Sequence, residues 1–198
     1  MVGGSALWYL SRGTGVLSLV LLTVVVVLGV LTRGGRPLPG LPRFAVAGLH
    51  RNASLLSIAF LVVHVATAVI DPYVTIRWFD ALVPFIGSYQ PVWLGLGALS
   101  LDLMLAVVVT SLLRQRIGQR LWRVVHYSVY ASWPVALVHS FTLGPDITSG
   151  FQRVLAAGCV AASATALGWS LLGSGSGSGS RPAGALPPPT HETIEVPA

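Results

Sequence analysis

Lysine is missing from this 198-residue chain: all 12 basic residues are arginine. Acids are scarce too, with 6 Asp and Glu, so charged residues make up only 9% of the sequence. An ordinary soluble domain carries about 25%, and that class is excluded. There is one cysteine, Cys159. This rules out an intrachain disulfide, a C-x-x-C-H haem attachment and a cysteine-ligated iron–sulfur cluster. Inside an apolar run, Cys159 reads as a small packing residue. A net charge of +6 with a pI near 10.5 would suit nucleic acid in a soluble protein. Here the arginines stand at the ends of apolar runs, where they report membrane orientation. Nucleic acid is therefore rejected as a partner.

What is abundant is hydrocarbon. Hydrophobic residues reach 54% and the mean hydropathy is +0.77. Five apolar runs, 15–31, 45–70, 92–113, 121–143 and 151–172, are each long enough to cross a hydrocarbon core of about 30 Å as a helix. The expected fold is all-α: a polytopic bundle of five transmembrane helices in lipid, multi-pass in the plasma membrane. Residues 1–13 are expected as a short extracytoplasmic N-terminus with Trp8 and Tyr9 as interfacial anchors. Residues 14–172 form the transmembrane domain, and 173–198 a disordered Gly/Ser/Pro-rich cytoplasmic tail. The first run is not followed by a small-residue cleavage site, which argues against a signal peptide.

Arginine counting sets the orientation. Arg33, Arg36 and Arg43 lie in the first connection, and Arg114, Arg116 and Arg120 in the third. The second holds only Arg77, with Asp71 and Asp80, and the fourth Asp146 and, at its end, Arg153. The first and third connections are expected in the cytoplasm, giving N-out and C-in. In the second connection, 71–91, Ile76, Phe79, Leu82, Val83 and Ile86 recur at helical spacing, which predicts a short interfacial helix. An irregular loop is the alternative.

Four histidines carry the chemistry. His50 and His64 lie in the second run, His126 and His139 in the fourth. At 1.5 Å per residue the members of each pair stand roughly 20 Å apart along their helix. With one span between them the two helices run parallel, so His50 matches His126 in depth and His64 matches His139. Intramembrane histidines are costly and are usually paired or functional. Zinc or copper would want three or four ligands at one depth, whereas each depth offers two imidazoles and no nearby acid or thiol. Two axial ligands are what a porphyrin iron leaves open. The expectation is two b-type haems, His50/His126 and His64/His139, with all four imidazoles as iron ligands. The alternative is four packing histidines in a non-redox membrane anchor.

Other residues join the candidate site. Arg51 and Arg123, beside the histidines of the arginine-rich end, are candidate propionate partners, with Arg43 and Arg120 behind them; positive-inside bias alone would also place them there. Arg77 and Trp78 are candidates for the same task at the opposite end. Trp133, midway between His126 and His139, is expected between the two haems; a plain packing role is the alternative. Pro134 is expected to kink its helix and so correct the thirteen-residue spacing of His126 and His139. Asp102, inside the third run, is a candidate proton relay or histidine partner.

Histidine pairs spaced fourteen and thirteen apart, on helices with one span between, resemble the ferric reductase-like transmembrane domain. That superfamily includes ferric reductases, NADPH oxidases and the haem subunit of the bacterial methionine sulfoxide reductase system. The resemblance covers roughly 15–172 and implies b-haem ligation by the four histidines, with electrons crossing outward from the cytoplasm. No Gly-rich nucleotide fingerprint follows the last run. The resemblance then implies a haem-bearing oxidoreductase component served by a separate flavoprotein reductase or a membrane quinol, delivering electrons to an extracytoplasmic acceptor. A quinol- or ascorbate-linked cytochrome b is the other redox reading, with a quinol pocket placed beside Asp102. Five spans are expected where six are common in the superfamily.

Overall fold

The computed structural model describes residues 2–33, 42–143 and 150–175, and all of their regular structure is helical. The elements are α1 (Val2–Arg33), α2 (Arg43–Ile70), α3 (Pro91–Leu112), α4 (Arg114–Ile117), α5 (Gln119–Tyr127), α6 (Val129–Leu143) and α7 (Gly150–Gly175). Lipid cannot hydrogen-bond an open backbone, so apolar runs of this length close their own bonds as helices. Among the described residues, α1, α2, α3 and α7 are long and apolar enough to cross a membrane.

The first helix is longer than expected, beginning at Val2 rather than after residue 13. It is also the packing centre. It contacts α2, α6 and α7, and Leu19, Leu22, Val25, Val26 and Val30 are buried along it. Helix α3 packs on α5 and α6. The middle of that contact is made by Ser100 and Ser132, whose hydroxyls lie 2.9 Å apart. Each hydroxyl also reaches the other's backbone carbonyl, at 3.2 Å. Small hydroxyl residues let two membrane helices approach closely and hold them there. Cys159 is a buried thiol in α7. Helix α7 runs to Gly175, three residues into the Gly-Ser run; the rest of the expected disordered tail lies outside the described residues.

The run expected as a fourth span is divided. Ser128, inside it, separates α5 from α6; just ahead of the run Gly118, at φ +79°, separates α4 from α5. At Ser128 both the amide and the hydroxyl bond the Val125 carbonyl, at 3.0 and 2.7 Å, a tight turn that competes with the helical ladder. Pro134 lies inside α6. The interruption thus falls more than a turn upstream of the expected kink. A proline ring crowds the carbonyl four residues before it, here that of Tyr130.

The interfacial helix expected in 71–91 does not form. The connection is a series of turns. Asp71 accepts the Tyr73 amide at 3.0 Å, and Asp80 is buried and accepts the Arg77 amide, Nε and Nη2 at 3.0, 3.2 and 2.9 Å. These local bonds replace a helical ladder, and Pro84 could not donate to one. Phe85 and Gln90 take positive φ values of 70° and 42°. The Phe85 ring rests on Gly95, where any added Cβ would overlap it. Pro91 at the first turn then starts α3, a position where its missing amide costs nothing.

Candidate functional site: two histidine pairs

The structure brings the four histidines together in two pairs matched in depth. The imidazole centroids of His50 and His126 lie 6.4 Å apart. Both line a cavity of about 600 Å³ at the arginine-rich end, walled by α1, α2, α3, α5 and α6. His64 and His139 line a second cavity of only about 70 Å³. Ser57 and Met104 line both. A lateral apolar cleft of about 460 Å³ adjoins the narrow cavity through Leu61, Leu101 and Met104 and the wide one through Ile58, Met104 and Val108.

Three of the four imidazoles are seated by one repeated device. The Nδ1 of His50 lies 3.1 Å from the Val25 carbonyl, that of His64 2.7 Å from Ser11, and that of His139 2.8 Å from Trp93. Each of these carbonyls belongs to the residue four before a glycine: Gly29, Gly15 and Gly97. The same glycines lie under the rings. A Cβ at Gly29 would stand 3.5 Å from His50 Cε1, one at Gly15 2.8 Å from His64 Cε1, and one at Gly97 would overlap His139. A helical carbonyl has a second lone pair and accepts the imidazole beside its own ladder bond. Donation from Nδ1–H fixes the tautomer, leaving the Nε2 lone pair free for a metal.

Gly15 and Gly29 are fourteen residues apart on α1, as His50 and His64 are on the antiparallel α2. This matched spacing is in the sequence, but single-helix reasoning about histidines passes over it. It becomes meaningful only once α1 and α2 are known to pack. His126 is the exception. Its Nδ1 is buried and has no hydrogen-bond partner among the described residues, and its ring stacks on Trp122 at 4.9 Å and 26°.

The remaining candidates divide. Arg51 lines the wide cavity, whereas Arg123 is exposed and outside that lining. Trp133 lines neither histidine cavity; its indole N–H donates to Thr23 Oγ1 at 2.9 Å and ties α6 to α1. Arg77 is engaged with Asp80 and lies over the Phe79 ring at 4.2 Å, and the guanidinium holds the Asp80 carboxyl below its usual range. Trp78 lines the lateral cleft. Asp102 is half-buried and lines none of these three cavities.

A polytopic helical membrane protein with histidine pairs at two depths is the class that fold and site define. Residues 14–137 match the ferric reductase like transmembrane component family, and the chain belongs to that family. Membership points to electron transfer within a membrane. No curated protein and no solved structure matches the chain.

The family implies haem, and the residues at the His50/His126 end fit it. Among the described residues no three His, Cys, Asp or Glu side chains gather as a metal-ion site; the donors come as pairs. Metal–imidazole bonds of about 2 Å put two axial rings roughly 6 Å apart between centroids, and His50 and His126 are spaced at 6.4 Å. The cavity between them falls within the usual range for a bound organic ligand, about 300–1,000 Å³. At the His64/His139 end the donors are the same, but the enclosed space of about 70 Å³ lies below that range.

Proposed function

We propose that the chain conducts electrons across the membrane through two bis-histidine b-type haems. His50 and His126 would hold one, His64 and His139 the other. A haem held in this way by two imidazoles would supply a one-electron couple suited to outer-sphere transfer. The protein supplies the rest: fixed imidazoles, a low-dielectric sheath and a set distance between sites. Backbone carbonyls of Ser11, Val25 and Trp93 orient three of the ligands. Arg51 stands at the wide cavity as a bidentate partner for a propionate. Ser57 and Met104 lie against both sites, in the place the sequence had suggested for Trp133.

In this reading α5 and α6 together make a fifth crossing, with the arginine-rich connections in the cytoplasm. Electrons enter from a separate flavoprotein reductase or a quinol on that side and leave to an extracytoplasmic acceptor. The observation that carries the proposal is the 6.4 Å spacing of His50 and His126 beside a cavity of haem-ligand size. Proteoliposomes test it. With an impermeant reductant outside and ferricyanide trapped inside, haem-loaded protein should bleach the dye, and a His50→Ala/His64→Ala double variant should not. Equal bleaching by both would take the histidines out of the electron path, and no bleaching by either would leave them as packing residues of a non-redox anchor.

A further inference from the structure

The fourth histidine lacks the seat the other three share. On α3, Gly97 underlies His139. Fourteen residues further along, where the α1 spacing would put a second glycine, stands Ser111. Ser111 lines the wide cavity with His126. Its hydroxyl is already used, accepting the Trp122 indole N–H at 3.3 Å. Trp122 is held from a second direction by the Arg114 guanidinium, 5.1 Å from its ring centroid. The indole in turn lies against the His126 imidazole at 4.9 Å, with the planes 26° apart. His126 Nδ1 meets no acceptor among the described residues.

We propose that Trp122, braced by Ser111 and Arg114, positions His126 by stacking where the other three histidines use a glycine and a backbone carbonyl, and that His126 is thereby the weakest-donating axial ligand of the four. The proposal rests on the haem reading above. Hydrogen bonding at Nδ1–H makes a ligating imidazole more basic. A stack fixes the ring plane without that polarisation, and a buried Nδ1 without a partner cannot gain it. A less basic ligand stabilises ferric iron less. Ser111 is therefore a setting as well as a brace: a glycine there would remove the Cβ and hydroxyl from the place a seated imidazole needs, leaving His126 to compete for the Val107 carbonyl with the Thr110 hydroxyl, which now donates to it at 3.2 Å. Trp122 and Ser111 are positioning residues and touch the iron only through His126.

The test uses the full chain in lipid nanodiscs, with haem counted per chain and the two haems titrated potentiometrically. His64→Ala and His139→Ala variants assign each wave to an end. Trp122→Leu should lower haem occupancy at the His50/His126 end alone, and Trp122→Phe, which keeps a stacking ring, should restore it. Ser111→Gly should move that haem to lower potential and leave the other in place. Unchanged occupancy and potential in both Trp122→Leu and Ser111→Gly would overturn the proposal, as would equal shifts at both haems. If Trp122→Leu does not fold, Ser111→Gly decides on the same terms. A wild-type chain that takes up no haem overturns the haem reading itself, before any variant is compared.

Discussion

The two ends of this bundle hold the same donors in different ways. At the end away from the arginines, both imidazoles sit on glycines, both donate to backbone carbonyls, and about 70 Å³ of enclosed space remains between the walls. At the arginine-rich end one imidazole is seated and one is stacked, around a cavity of about 600 Å³ with Arg51 and Trp122 in its wall. The difference teaches where each end draws its order. The narrow end is fixed by the helix contacts that build the fold. The wide end is fixed partly by side chains on side chains, so it can be altered without dismantling the bundle.

The largest expected effect breaks the comparison outright. Replacing one histidine of a pair should remove the haem at its own end alone. His126→Ala and His139→Ala should each cost about half of the Soret absorbance, since a six-coordinate site needs both axial ligands. A pigment count on each purified variant checks this, and loss of both haems from either one would argue against independent sites.

Next come the glycines, which sharpen the comparison. Gly97→Ala would drive a methyl into His139 and Gly15→Ala one to 2.8 Å from His64, whereas at Gly29 the added carbon meets His50 at an ordinary 3.5 Å. Forced overpacking costs about 1–3 kcal/mol, while alanine in place of glycine favours a helix by about 1 kcal/mol. Thermal unfolding should therefore rank Gly97→Ala as most damaging, Gly15→Ala next, and Gly29→Ala as neutral or stabilising. A damaging Gly29→Ala would mean that the wide end is packed as tightly as the narrow one.

A smaller effect is expected between the ends. Ser132→Ala should weaken the α3–α6 contact by about 0.6–2 kcal/mol, the range for hydrogen bonds between membrane helices, with both haems retained. The smallest concerns the turn at Asp80. Its folded carboxyl is held below the ordinary value of 3.8 by Arg77. The contribution is therefore complete above the unfolded carboxylate value and is lost as pH falls through the lowered folded one. Proteolysis of the 71–91 connection should stay constant at neutral and mildly acid pH and increase only below about pH 4; Asp80→Asn should show the increase at neutral pH.

Much of this was legible in the residues. Long apolar runs force helices in lipid, and one span between two helices makes them parallel, so the pairing of His50 with His126 and His64 with His139 in depth follows from order alone. What was not legible depends on neighbours. The periodicity of Ile76, Phe79 and Leu82 suggested a helix, but Asp80 gathers three donors from Arg77 and makes a turn instead. Trp133 has the right depth to lie between two sites, yet depth does not fix azimuth, and its indole meets Thr23 on α1. The glycine seats need two helices to be seen at once. Ser111 is read as a replaced glycine only against Gly15, Gly29 and Gly97 in place.

The most direct measurement is the haem content of the purified full chain, expressed with ample porphyrin supply and read by its reduced-minus-oxidised spectrum. The account predicts two low-spin b-type haems per chain, one lost with His126 and the other with His139. A colourless chain, or a spectrum unchanged when these histidines are replaced, would contradict it.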